Sequence, residues 1–207
     1  MMVNFGPTEF AFLLTLGAVA AVVLAHRGRS RPYLALFVIS WFYVILVISI
    51  VVYPIVPETP AEVGFVWPAV NLFPLNFGDC QVAVQCVREA LSNILLTVPA
   101  GIFLPLLAQL RRRQVAIAAV LVGVLLEALQ YTLSLAFGSR FRIADINDVI
   151  LNAIGVLVGY GILLLFAQLI LGRCGHAIRP TGGWLCQIVR RSANALGIAE
   201  LGDQKRA

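Results

Sequence analysis

Apolar residues along this chain gather into five long runs, separated by clusters of charge, proline or glycine. Four runs approach the roughly 20 residues needed to cross a hydrocarbon core: Glu9–Ala25, Tyr33–Tyr53, Val115–Phe137 and Val149–Leu171. A fifth, Ala90–Leu110, contains Pro99 and Pro105 but no charge. Proline is tolerated inside a membrane helix, where it kinks more often than it terminates. The pattern predicts an all-α membrane protein with helices over 9–25, 33–53, 90–110, 115–137 and 148–171 in one bundle, followed by a tail over 172–207.

Two of these helices carry polar stripes. Asp145, Asp148, Asn152, Gly155 and Gly159 recur at steps of three and four, so a helix sets them on one face. Ile146, Val149, Ile150, Leu151, Ile154, Leu157 and Val158 are assigned to the opposite, lipid-suited face. Glycines four apart mark a close-packed seam. Gly123, Glu127, Gln130 and Ser134 form a matching stripe on the preceding helix. Glu127 interrupts an otherwise apolar run about 13 Å below the predicted outer end of its helix, near mid-bilayer. A charge there costs about 2.5–3.5 kcal/mol, so it should face the bundle or a wet cavity. The plainer reading is a protonated Glu127 bonded to Gln130 or Asn152 as helix glue. Asn93, one turn into the third helix, is either packing glue or part of the same site. Asp145 could simply cap the last helix.

Composition strengthens the membrane assignment. The 207 residues are 60% apolar and 12% charged, against about 25% charged in ordinary soluble domains, and the mean hydropathy is +0.93. All but three of the 15 basic residues lie in the turns after the first and third spans or in the tail, the exceptions being Arg88, Arg140 and Arg142. The positive-inside rule then places the N-terminus outside and the C-terminus in the cytoplasm. The net charge of +5 is therefore a topology signal and no argument for nucleic acid. Nothing basic precedes the first run, and no small-residue cleavage site follows it, so it reads as a retained helix.

The outer connector, Pro54–Glu89, is long enough to be functional. Its Phe65, Trp67, Leu72, Phe73, Leu75 and Phe77 suit a membrane interface. An interfacial flap is one reading; a lid or re-entrant wall beside an outward pocket is the other. Cys80 and Cys86 fall in this connector and could form a disulfide, or remain as two thiols. The tail places Leu185, Ile188, Val189, Ser192 and Leu196 on one face of a possible amphipathic surface helix.

Three blocks carry a resemblance to a known family: Asn93-Ile-Leu-Leu-Thr-Val-Pro99-Ala-Gly101, Glu127-Ala-Leu-Gln130, and Arg142-Ile-Ala-Asp145-Ile-Asn-Asp148-Val-Ile-Leu-Asn152-Ala-Ile-Gly155. With Asn71-Leu-Phe-Pro74, they resemble the VanZ-like family of small bacterial membrane proteins, over roughly Arg31 to Leu165. Thr97, Ala100 and Ala153 depart mildly from its pattern. The resemblance implies a plasma-membrane protein of the bacterial envelope, and the family's name-giving member is associated with resistance to the glycopeptide teicoplanin. It carries over no established catalytic residue.

The first functional reading is a binding protein for an amphipathic envelope ligand, a lipid-linked cell-wall precursor or a glycopeptide, held by Asn93, Glu127, Gln130, Asp145, Asp148, Asn152 and the arginines Arg88, Arg140 and Arg142. The second is an intramembrane enzyme with Glu127 as general acid or base and Asp145 and Asp148 holding a divalent cation. No H-E-x-x-H, G-x-S-x-G or phosphate-binding loop supports it. A transporter or flippase comes third, since no internal repeat is visible.

Overall fold

A computed structural model of the protein describes residues 3–53, 69–76, 83–137 and 144–174. In chain order these form α1 (Pro7–His26), α2 (Arg31–Val51), β1 (Val70–Asn71), α3 (Ala83–Ala108), α4 (Arg112–Phe137), β2 (Ala144–Asp145) and α5 (Ile146–Cys174). All five helices are long and apolar enough to cross a membrane. Pro7 opens α1 at a position where its missing N–H costs nothing, and the Glu9 carboxylate accepts the Gly6 N–H at 3.0 Å. The tail beyond residue 174 lies outside the described residues.

Two expectations change. The all-α prediction meets one exception, a two-residue parallel pairing of β1 with β2 in the register Val70↔Ala144 and Asn71↔Asp145. Helix α3 also begins at Ala83 rather than near residue 90. The segment Ala83-Val-Gln-Cys-Val-Arg-Glu contains no glycine or proline, so nothing local stops the helix. Only the apolar run ends at Arg88, and helix and apolar run need not share a boundary.

Helices α3 and α5 run side by side in the same direction, with α4 returning antiparallel against α5. The register follows from glycines. A side chain at Gly155 would strike the Ile94 carbonyl and Thr97 hydroxyl, one at Gly159 the Val98 carbonyl, and one at Gly101 the Val156 carbonyl. Backbones this close gain van der Waals contact without competing side chains, which drives helix association in lipid. Gly123 of α4 meets the backbone of Val149 in the same way. Val149 therefore packs on α4 instead of facing lipid, because α5 is clasped on two sides. Ile150, Ile154, Leu157 and Val158 are exposed, as a lipid face requires.

The α1–α2 hairpin is the outer part of the bundle. Trp41 of α2 fills the space opened by Gly17 of α1 and donates its indole N–H to the Leu13 carbonyl at 2.9 Å. Tyr43 ties the hairpin to α3 by donating to the Leu96 carbonyl at 2.7 Å.

Helix α5 starts low in the bundle. Its first turn is level with Asn93 and Glu127, each ten residues from the near end of its own helix, Ala83 or Phe137. At 1.5 Å per residue, α3 and α4 overhang the head of α5 by about 15 Å. The sequence placed Asp145 at the mouth and Glu127 far beneath it; the two are in fact neighbours.

Gly159→Leu should force the α3–α5 seam apart, at a cost of about 1–3 kcal/mol. Gly161, two residues on, has nothing within 4 Å of an added side chain. Thermal unfolding in detergent should show a lowered midpoint for Gly159→Leu and almost none for Gly161→Leu. Equal loss in both would mean the seam is wrongly drawn.

Candidate functional site

The head of α5 gathers its polar groups into two clusters. Asp145 sits at the position just before α5, where a carboxylate can cap the free N–H groups of the first turn. Its Oδ1 accepts the Asn147 backbone N–H at 2.8 Å and the Asn147 side-chain amide at 2.9 Å. Both of its oxygens also accept from Asn71 Nδ2, each at 3.1 Å. The Asp145 N–H in turn donates to Glu127 Oε2 at 3.1 Å. Capping by Asp145 is thus realised, and Glu127 accepts from backbone at the same knot.

Asn147 completes the knot. It is 3% exposed, accepts the Leu75 N–H at 2.7 Å and donates to the Asn76 carbonyl at 2.9 Å. Asn71 donates to that same carbonyl at 2.8 Å. Residues 69–76 of the connector are therefore stitched to the start of α5 by two amide side chains. The stripe drawn from sequence passed over Asn147, because it stands about 100° around the helix from Asp148. The clue was a third polar residue crowded into Asp145-Ile-Asn-Asp148.

The second cluster opens to solvent. Asn93 Nδ2 donates to Asp148 Oδ1 at 2.6 Å, joining α3 to α5. This pair floors an open cleft of about 540 Å³ whose other lining residues, Gln85, Arg88, Glu89 and Ser92, all belong to the overhanging part of α3. Gln85 and Ser92 were not anticipated; they are cleft residues because α3 continues upward past Ala90.

The remaining candidates divide. Asn152 is buried one turn below Asp148, and its carbonyl accepts the Thr97 hydroxyl at 2.7 Å. Its Oδ1 has no partner among the described residues, and it does not line the cleft. Ser134 is buried and Gln130 half-buried on the α4 stripe. Gly123, Gly155 and Gly159 each lie against the backbone of a neighbouring helix. Cys86 is disulfide-bonded, whereas Cys80, Arg140 and Arg142 lie outside the described residues. Among the described residues, no group of three or more His, Cys, Asp or Glu side chains could hold a metal ion.

A family model described as VanZ/LLP1 matches residues 34–167. That range takes in most of α2, both strands, α3, α4 and most of α5, and so every residue of the two clusters. No curated protein and no solved structure matches the chain.

Asn147→Ala should strand the Leu75 N–H, at about 1–3 kcal/mol for an unsatisfied donor, and leave the Asn76 carbonyl with Asn71 as its remaining side-chain donor. Asn147→Asp should be worse, because its second oxygen would face the Asn76 carbonyl and the Asp145 carboxylate. Thermal unfolding in detergent at neutral pH should rank the proteins native, then Ala, then Asp. A fully stable Asp variant would refute the knot as drawn.

Proposed function

The chain belongs to the VanZ/LLP1 family, and from that premise we propose that it is an envelope membrane protein that holds an amphipathic, anionic ligand at the cleft between α3 and α5. The observation that carries this reading is the surface of α3 beside the cleft. Val84, Arg88, Leu91 and Leu95 share one helix face at steps of four, three and four, and all four are exposed. Arg88 makes no ion pair with any described residue. A cation with five donors, set in an apolar stripe and next to an open polar cleft, matches a phosphate or carboxylate joined to a hydrocarbon chain. The head group would bind at Arg88, Ser92 and Asn93, and the chain would lie along Leu91 and Leu95.

Alternating crossings put the basic turns Arg27–Arg31 and Arg111–Arg113 on one side, which the positive-inside rule makes cytoplasmic. The cleft then opens outward, toward lipid-linked cell-wall precursors and glycopeptides of the teicoplanin type. In this reading Glu127 and Asp145 support the site from below and transfer no proton.

Retention of two probes, a labelled anionic lipid-linked precursor and labelled teicoplanin, should be compared in cells carrying equal membrane levels of each variant. Arg88→Gln should lower retention of the bound probe about tenfold, the worth of one charge-assisted hydrogen bond. Glu127→Gln, which keeps an oxygen for the Asp145 N–H, should leave it unchanged. Unaltered retention of both probes in Arg88→Gln would remove the reason for this proposal. A lipid species that depends on Glu127, seen by mass spectrometry, would replace binding with catalysis.

A further inference from the structure

The connector tip is the part of the molecule that neither the helix seam nor the cleft explains. Leu72, Phe73 and Leu75 are 71%, 73% and 79% exposed, three large apolar side chains on four consecutive residues with Pro74 between them. Their backbone is treated quite differently. The Phe73 N–H donates to Asn71 Oδ1 at 3.2 Å, the Leu75 N–H to Asn147 Oδ1 at 2.7 Å and the Asn76 N–H to the Phe73 carbonyl at 3.3 Å. Pro74 has no N–H to satisfy. From residue 73 to 76, therefore, every backbone donor is bonded inside the protein while the side chains stand free.

A loop in water has no need of this arrangement, because solvent satisfies its backbone at little cost. Non-helical backbone in hydrocarbon does need it, since each unpaired group there costs several kcal/mol. The position agrees. The strand β1 leading into the tip pairs with β2 at the head of α5, which lies about 15 Å below the ends of α3 and α4. The tip is also held under tension: Leu75 has φ +64°, a left-handed conformation costly for any residue but glycine or asparagine. Such strain persists only where surrounding contacts enforce it, and the bond from Leu75 N–H to the buried Asn147 is that contact.

We propose that Leu72–Leu75 is a re-entrant wedge whose side chains lie among the acyl chains of the surrounding bilayer, with Asn71, Asn147 and Asp145 serving as its polar root. Its occupant is bulk lipid, so this inference stands apart from the ligand assigned to the cleft. The wedge closes one flank of the recess that α3 and α4 leave above α5, and it gives the polar root a water-poor setting.

The test uses the full-length protein in phosphatidylcholine vesicles, with Phe73→Trp and, as a second variant on the same tip, Leu72→Trp. The unmodified protein supplies the background of Trp41, Trp67 and Trp184, and Gln85→Trp supplies a water-facing comparison. The emission added at position 73 or 72 should be lost when the lipid acyl chains carry bromine, and should resist acrylamide in the aqueous phase. The emission added at position 85 should behave in the opposite way. Quenching of both tip variants by acrylamide, with no response to brominated lipid, would overturn the proposal and return the tip to water. Resistance to both quenchers would also overturn it, since the tip would then be covered by protein.

Discussion

Polar backbone groups withdrawn from water must find partners within the protein, and at the head of α5 that demand shapes everything nearby. A helix that begins inside a bundle exposes up to four N–H groups where solvent is scarce. Here Asp145 caps the turn, Glu127 receives the Asp145 N–H, and Asn71 and Asn147 share the Asp145 carboxylate while binding the connector. The partners come from three segments of the chain: α4, the connector and the head of α5. The knot therefore holds α4, α5 and the connector in one register, and a change at any member is felt at the others.

The glycine seam is the second half of the same arrangement. Close contact along Gly101, Gly155 and Gly159 fixes how far α5 lies along α3, and so sets Asp148 opposite Asn93. Sliding α5 up by one turn, about 5.4 Å, would take Asp148 past Asn93 and Asp145 away from Glu127. The low start of α5 is thus enforced at two levels, by apolar contact below and hydrogen bonds above. The consequence is a recess at its head, with the overhanging end of α3 forming the wall of the cleft.

This geometry separates residues that share a stripe. Asp145 and Asp148 are three apart on one helix face, yet the first is saturated by three amide groups and the second faces an open cleft. Asn93 joins α3 to α5 and floors the cleft with the same bond to Asp148. Glu127, the most conspicuous residue of the chain, belongs to the supporting knot. Prominence in sequence and exposure to a ligand are different properties: a carboxylate in an apolar run must be stabilised, and a backbone N–H can do that without any ligand.

The amino-acid sequence alone determined that five apolar helices form, since run length and the absence of charge are local properties. It also determined the inward stripes of α4 and α5, because three-and-four spacing translates directly into a face, and the glycine seam, because only small residues permit such approach. The three motif blocks were sufficient to indicate the family. Tertiary structure decided what distance in the chain conceals: that α3 extends back to Ala83, that α5 starts level with Glu127, that Val149 packs on α4, and that Asn147 reaches residues 75 and 76. Those facts depend on how far one helix slides along another. No periodicity within a single helix encodes that displacement; it emerges only when the glycines of one segment meet the backbone of the next.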